Sequence, residues 1–246
     1  MTGSASSART RRRRAATSAG VTGKDLGKRG DRESNALLLE RLAEARPGDA
    51  VLSEESVDSP ARLSADRVWI IDPLDGTREY GMTGRPDWAV HVALWSRSAG
   101  SGGDLIEGAV ALPAEQTTFA TDQPPVVPAP VAGRLRLAVS RSRPPQFVVE
   151  LARNLDAELV PMGSAGVKCA SVWRGQADAY VHAGGQFEWD SAAPVAVARA
   201  AGLHTSRIDG SALEYNRANP SLPDLLVCRP ELAGPLLHAI AEVSTR

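Results

Sequence analysis

Apolar residues fall into short, evenly spaced runs along this chain, and the runs change character about half-way. Leu37, Leu38, Leu39 and Leu42, with Ala36, Ala43 and Ala45, recur at helical spacing until Pro47-Gly48 stops them. A helix is therefore predicted from Asp31 onward. Ala50-Val51-Leu52 and Val68-Trp69-Ile70-Ile71 have strand length. The first delivers Ser53-Glu54-Glu55, and the second delivers Asp72-Pro73-Leu74-Asp75-Gly76-Thr77. Residues 88–95 alternate, with Trp88, Val90, Val92 and Leu94 on one face and Ala89, His91, Ala93 and Trp95 on the other. Both faces are mostly apolar, so this strand should lie between two layers. Strands over 106–112 and 117–120 follow.

A Pro-rich stretch over 122–133 then reads as a crossing between subdomains. Beyond it strand and helix alternate. The pattern predicts strands at 135–140, 177–182 and 224–228, and helices at 145–155, 165–174, 191–201 and 231–243. An α+β half thus precedes an α/β half, with boundaries at 22–122, 123–133 and 134–246. Residues 1–21 differ. They are mostly Ser, Thr, Ala and Arg, include Arg11-Arg12-Arg13-Arg14, and have no apolar core of a signal peptide. They read as a solvated, disordered basic tail rather than a phosphate-binding arm, since nothing aromatic or periodic accompanies the charge.

Composition narrows the class. With 28 Lys and Arg against 29 Asp and Glu, the formal charge is −1, which removes the global electrostatic case for nucleic acid or an anionic membrane. No apolar run approaches the ~18 residues that a membrane span needs. Cys169 and Cys228 are far apart, in neither a redox nor a zinc spacing, which points to a reducing, cytoplasmic setting. Lys24, Lys28 and Lys168 are the only lysines in an arginine-rich chain, so each is conspicuous.

Four acids lie where predicted strands or loops end: Glu54, Asp72, Asp75 and Asp190. Pro73 restricts the backbone between two of them, and the Leu74 carbonyl can turn toward whatever they bind. Gly76 lets a ligand approach the backbone, and the amides of Gly76 and Thr77 can point at an anion. Carboxylates with a carbonyl are hard oxygen ligands that suit Mg²⁺. The plainer readings are a turn for Asp72–Thr77 and helix N-caps for Asp190 and Asp31. Three separate sets of acids are too many to assign to turns and caps alone.

The runs Leu52-Ser53-Glu54-Glu55-Ser56, Asp72-Pro73-Leu74-Asp75-Gly76-Thr77 and Trp189-Asp190-Ser191-Ala192-Ala193 resemble, in order, the signatures of the inositol-monophosphatase superfamily. Those are Mg²⁺-dependent, lithium-inhibited phosphatases. Gly163-Ser164-Ala165 and the segment from Gly175 to Tyr180 also look like that family. The resemblance implies an α/β/α/β/α sugar-phosphatase fold, a homodimer and two or three Mg²⁺ ions. It places Glu54, Asp72 and the Leu74 carbonyl on one ion, and Asp72, Asp75 and Asp190 on the second. It makes Asp31 the partner of a catalytic Thr77, with Glu54 assisting and Gly76 on the phosphate.

Within the superfamily, Arg78-Glu79-Tyr80 after D-G-T is similar to the CysQ-type 3′(2′),5′-bisphosphate nucleotidases, as is Ser140-Arg141-Ser142. The resemblance implies hydrolysis of 3′-phosphoadenosine 5′-phosphate in support of sulfate assimilation. Ser140, Arg141, Ser164 and Lys168 would meet the substrate. The alternatives are an inositol-1-phosphate or fructose-1,6-bisphosphate phosphatase, and a metal-binding regulatory module without catalysis. The family's usual opening amphipathic helix has no counterpart in residues 1–21.

Overall fold

In a computed structural model, residues 23–244 are described. The expected tail at 1–21 lies outside them. Helix α1 (Gly23–Ala45) is followed by β1 (Ala50–Ser53), β2 (Arg67–Asp75), a short α2 (Thr77–Gly81), β3 (Ala89–Ser96), β4 (Asp104–Leu112) and β5 (Thr117–Ala120). Beyond the Pro-rich crossing come β6 (Arg136–Ser140), α3 (Gln146–Asn154), β7 (Glu158–Met162), α4 (Ala165–Trp173) and β8 (Ala179–Ala183). The chain ends with α5 (Glu188–Ala200), β9 (His204–Ser206), β10 (Asp224–Cys228) and α6 (Ala233–Ser244).

The strands make two sheets, ordered β1-β2-β3-β4-β5 and β7-β6-β8-β10-β9. Strand β3 is buried along its whole length. On one face Val90 and Val92 pack with Ile71 against Leu38 and Leu42 of α1. On the other, Ala89, Ala93 and Trp95 join a core built from α4, α5 and the second sheet. Helices α3 and α6 cover that sheet's far side through Val148, Leu151, Leu236 and Ile240. The layers run α1, sheet, α4 with α5, sheet, α3 with α6. This is the α/β/α/β/α order that the sequence motifs imply.

Several elements depart from the sequence reading. Helix α1 begins at Gly23 rather than Asp31, because its buried stripe continues upstream with little apolar signal: Leu26, Gly27, Gly30, Asp31 and Ser34 precede Leu38 and Leu42. A Cβ on Gly27 would lie 2.7 Å from Thr77 Cγ2, and one on Gly30 2.7 Å from the Tyr80 ring. The glycines let α1 lie directly on α2, and glycine carries no apolar signal. Strand β7 was not foreseen because Pro161 interrupts it; as a sheet edge it tolerates the missing N–H. Strand β9, three residues long, gave no pattern. Helix α5 starts at Glu188, so Asp190 is inside its first turn.

Candidate metal and phosphate site

Two residues three apart on a regular strand point to opposite faces of the sheet. Asp72 and Asp75 escape this. Between Asp72, paired with His91, and Asp75, paired with Ala89, β2 advances three residues while β3 advances two. The extra residue is a β-bulge, and Pro73, which has no N–H for the ladder, sits in it. The bulge brings both carboxylates to one site, where Asp190 from α5 joins them. One oxygen from each of Asp72, Asp75 and Asp190 lies within 4.8 Å of the others.

Each carboxylate is held differently. Asp72 Oδ1 accepts the Leu74 N–H at 2.9 Å. Asp190 Oδ2 accepts the Phe187 N–H at 2.7 Å, a bond back from the third helical residue rather than an N-cap. Asp75 faces the start of α4. It accepts from Ser164 Oγ at 2.5 Å, Gly166 N at 2.6 Å and Ala165 N at 3.0 Å. His91 Nε2 lies 3.2 Å from the same carboxylate, and His91 Nδ1 lies 3.2 Å from the Trp189 carbonyl. His91 thus touches the segments that carry Asp75 and Asp190. Its sequence signal was only a lone polar residue in an apolar alternating strand.

The charges are unbalanced. Burial, then the neighbouring Asp190 and Asp31, push the Glu54 carboxyl up to about 7. Burial and then Asp75 push Asp190 up to about 6. Asp72, fully enclosed and flanked by Glu54, Asp75 and Asp190, is raised well above the usual carboxylate range. Asp75 goes the other way: burial opposes its ionisation, but His91, Lys168 and Ser164 outweigh it and hold the carboxyl low. Burial opposes protonation of His91 too, yet Asp75 beside it raises the imidazole. An all-oxygen donor set with this excess of negative charge fits a hard divalent cation.

The catalytic pair expected from the sequence is also assembled. Asp31 lies inside α1 and is 5% exposed, so the N-cap reading fails. The Thr77 hydroxyl has two acceptors in reach, Asp31 Oδ1 at 3.3 Å and the Leu74 carbonyl at 3.1 Å. Gly76, at φ 86°, turns the chain from β2 into α2 there.

A cleft of about 660 Å³ opens over these groups. Asp75, Gly76, Thr77, Ser140, Ser164, Lys168 and Asp190 all line it. Lys168 is 6% exposed; its Nζ donates to the Ser164 carbonyl at 2.7 Å and lies 5.2 Å from the Tyr180 ring centroid. Arg141 is not among the lining residues, and its guanidinium is engaged by Glu79 and Asp87. Two further arginines line the cleft: Arg78, which the sequence marked only as part of a family signature, and Arg143, which it did not mark.

By sequence, residues 4–244 match the inositol monophosphatase family. The chain belongs to that family. Its members are metal-dependent phosphatases, and the acid cluster described above is where such an ion fits. A Mycobacterium bovis protein named 3′-phosphoadenosine 5′-phosphate phosphatase is 56% identical over 220 residues, covering 88% of this chain and 82% of that protein. The 3′(2′),5′-bisphosphate nucleotidase CysQ of Salmonella typhimurium is 30% identical over 199 residues, covering 75% and 77%. Among solved structures, Mycobacterium tuberculosis SuhB superposes with a TM-score of 0.72 at 25% identity, over 98% of this chain and 93% of that one. Among the described residues no helix is long and apolar enough to cross a membrane.

Proposed function

We propose that this chain is a Mg²⁺-dependent 3′(2′),5′-bisphosphate nucleotidase. It hydrolyses 3′-phosphoadenosine 5′-phosphate to AMP and phosphate, in support of sulfate assimilation. The observation that carries this reading is the 56% identity, over 88% of the chain, with a relative named for that substrate. The cleft supports it. Beyond the acid cluster it is lined by Lys168, Arg78 and Arg143, side chains of the cationic type that a second phosphate would need. The working form in this reading is a cytoplasmic homodimer. The buried, unpaired Cys169 and Cys228 suit a reducing compartment.

Glu54, Asp72, the Leu74 carbonyl, Asp75 and Asp190 would hold two or three Mg²⁺ ions. The bound metal neutralises phosphate charge and makes water more acidic, contributions worth several kcal/mol. The chain's own residues do the rest. The Thr77 hydroxyl has both Asp31 and the Leu74 carbonyl in reach, and it would pass its proton to Asp31 as its oxygen takes one from the attacking water. Glu54, close enough to be raised by the Asp31 charge, would assist. The amides of Gly76 and Thr77 orient the phosphate.

Metal binding should depend on pH in a definite direction. Glu54 and Asp190 titrate near 7 and 6 in the folded chain, above their ordinary 4.5 and 3.8. Below the unfolded values, folded and unfolded chains are equally protonated and these groups cost nothing. As pH rises through the window to about 7, the folded chain must ionise acids that burial and neighbours resist, and a cation relieves that cost. Mg²⁺ is therefore expected to raise the Tm more at pH 8 than at pH 5.5, measured by thermal unfolding with and without the ion. An equal rise at both would remove these acids from the metal site.

Substrate choice is tested by phosphate release from 3′-phosphoadenosine 5′-phosphate, inositol 1-phosphate and fructose 1,6-bisphosphate, with Mg²⁺ and with added lithium. Lys168→Met should raise KM for the bisphosphonucleotide by roughly ten-fold, about 1.4 kcal/mol, and hardly affect a substrate with one phosphate. Inositol 1-phosphate as the better wild-type substrate would overturn the nucleotidase reading.

A further inference from the structure

Arg141 was expected to grip phosphate, yet two of its guanidinium nitrogens are paired with buried acids of the chain itself. Nη2 donates to Glu79 Oε1 and Nη1 to Asp87 Oδ2, both at 2.7 Å. Glu79 follows the D-G-T loop on α2, Asp87 precedes β3, and Arg141 follows β6 of the second sheet. Both acids are buried, at 6% and 7% exposure. Asp87 Oδ2 also accepts the Gly163 N–H at 2.7 Å, while Arg85 donates to both Asp87 oxygens at 2.8 and 2.6 Å. The backbone closes the same knot, since Arg141 N–H donates to the Met162 carbonyl at 3.1 Å.

Gly163 shows how tight the knot is. A Cβ there would lie 2.4 Å from Glu79 Cγ and 2.9 Å from Asp87 Oδ2. The next residue, Ser164, is held at φ 53°, a conformation that non-glycine residues rarely adopt. It needs surrounding contacts to persist, and its hydroxyl is the one that donates to Asp75.

We infer that Arg141 is a positioning residue: through Glu79, Asp87 and Gly163 it sets how far the Ser164–Lys168 helix start stands from the D-G-T loop across the two sheets. It does not contact substrate. Arg-Glu after D-G-T and Ser-Arg-Ser after β6 are then two halves of one clamp. A clamp acts on the geometry shared by every phosphoester the site hydrolyses, so its loss should appear in kcat and not in the choice between substrates. This rests on the chain being a phosphatase with the site described. It does not depend on which phosphoester is preferred.

The test measures kcat and KM of Arg141→Met, Arg141→Lys, Glu79→Gln and the Arg141→Met/Glu79→Gln pair, on 3′-phosphoadenosine 5′-phosphate and on a one-phosphate substrate. Tm is recorded for each. Arg141→Met should lower kcat about ten-fold or more on both substrates alike, with the ratio of their KM values unchanged. Arg141→Lys, able to reach one acid at a time, should recover part of that loss. The double variant should be no worse than the more damaging single one. A KM rise confined to the bisphosphonucleotide would overturn the clamp by putting Arg141 on the second phosphate. A lower Tm with unchanged kcat would reduce it to a stabilising ion pair, and fully additive losses would separate it from Glu79. If wild type ignores the bisphosphonucleotide, the nucleotidase reading fails, and the clamp is tested on the phosphoester it does hydrolyse.

Discussion

Asp75→Asn is expected to reduce phosphate release by about 10³-fold or more, equivalent to about 4 kcal/mol at the transition state. Asparagine keeps the shape of aspartate but removes the charge that a cation and its phosphate must share. Asp75 has a second burden. It receives the hydroxyl of Ser164 and the first amides of α4, and it faces His91. A carboxylate at a helix N-terminus is typically worth ~0.3–1 kcal/mol, rising to ~2 where partly buried. Asp75→Asn should therefore also lower the Tm. Asp190→Asn should lose turnover to a similar degree with a smaller fall in Tm, because its carboxylate accepts from the Phe187 N–H and does not hold a helix start as Asp75 does. Both variants should need more Mg²⁺ for half-maximal activity. Near-wild-type turnover of either at low Mg²⁺ would sink the assignment of these carboxylates to the metal.

Thr77→Ala and Asp31→Asn are expected to lower kcat by about 10²–10⁴-fold each, the usual worth of a positioned acid–base group. Metal affinity should change little, since neither side chain belongs to the acid trio. The two residues share one hydrogen bond, Thr77 Oγ1 to Asp31 Oδ1 at 3.3 Å. If they act as a unit, the double variant loses no more than the worse single one. Steady-state kinetics on all three variants checks this. Multiplying losses would mean that each works alone and that the proton is handled elsewhere.

What the sequence alone determined was chemistry and layering. The acids Asp72, Asp75 and Asp190, which the fold brings together, were legible with Glu54 as proposed ligands because hard-cation chemistry demands oxygen donors, and motif order tied them together. The two-sided burial of β3 was legible because an alternating strand with two apolar faces has to be covered twice. What only the tertiary structure decided was partnership. Asp72 and Asp75 share a site because β2 carries a bulge, and a bulge is a matter of register against β3, which no local pattern encodes. Asp31 sits mid-helix because Gly27 and Gly30 bury themselves against α2, and a residue without a side chain leaves no apolar trace. Arg141 read as a free cation for phosphate because its partners, Glu79 and Asp87, are 62 and 54 residues away in the chain. Sequence names the charge on a side chain; only folding says which opposite charge reaches it first.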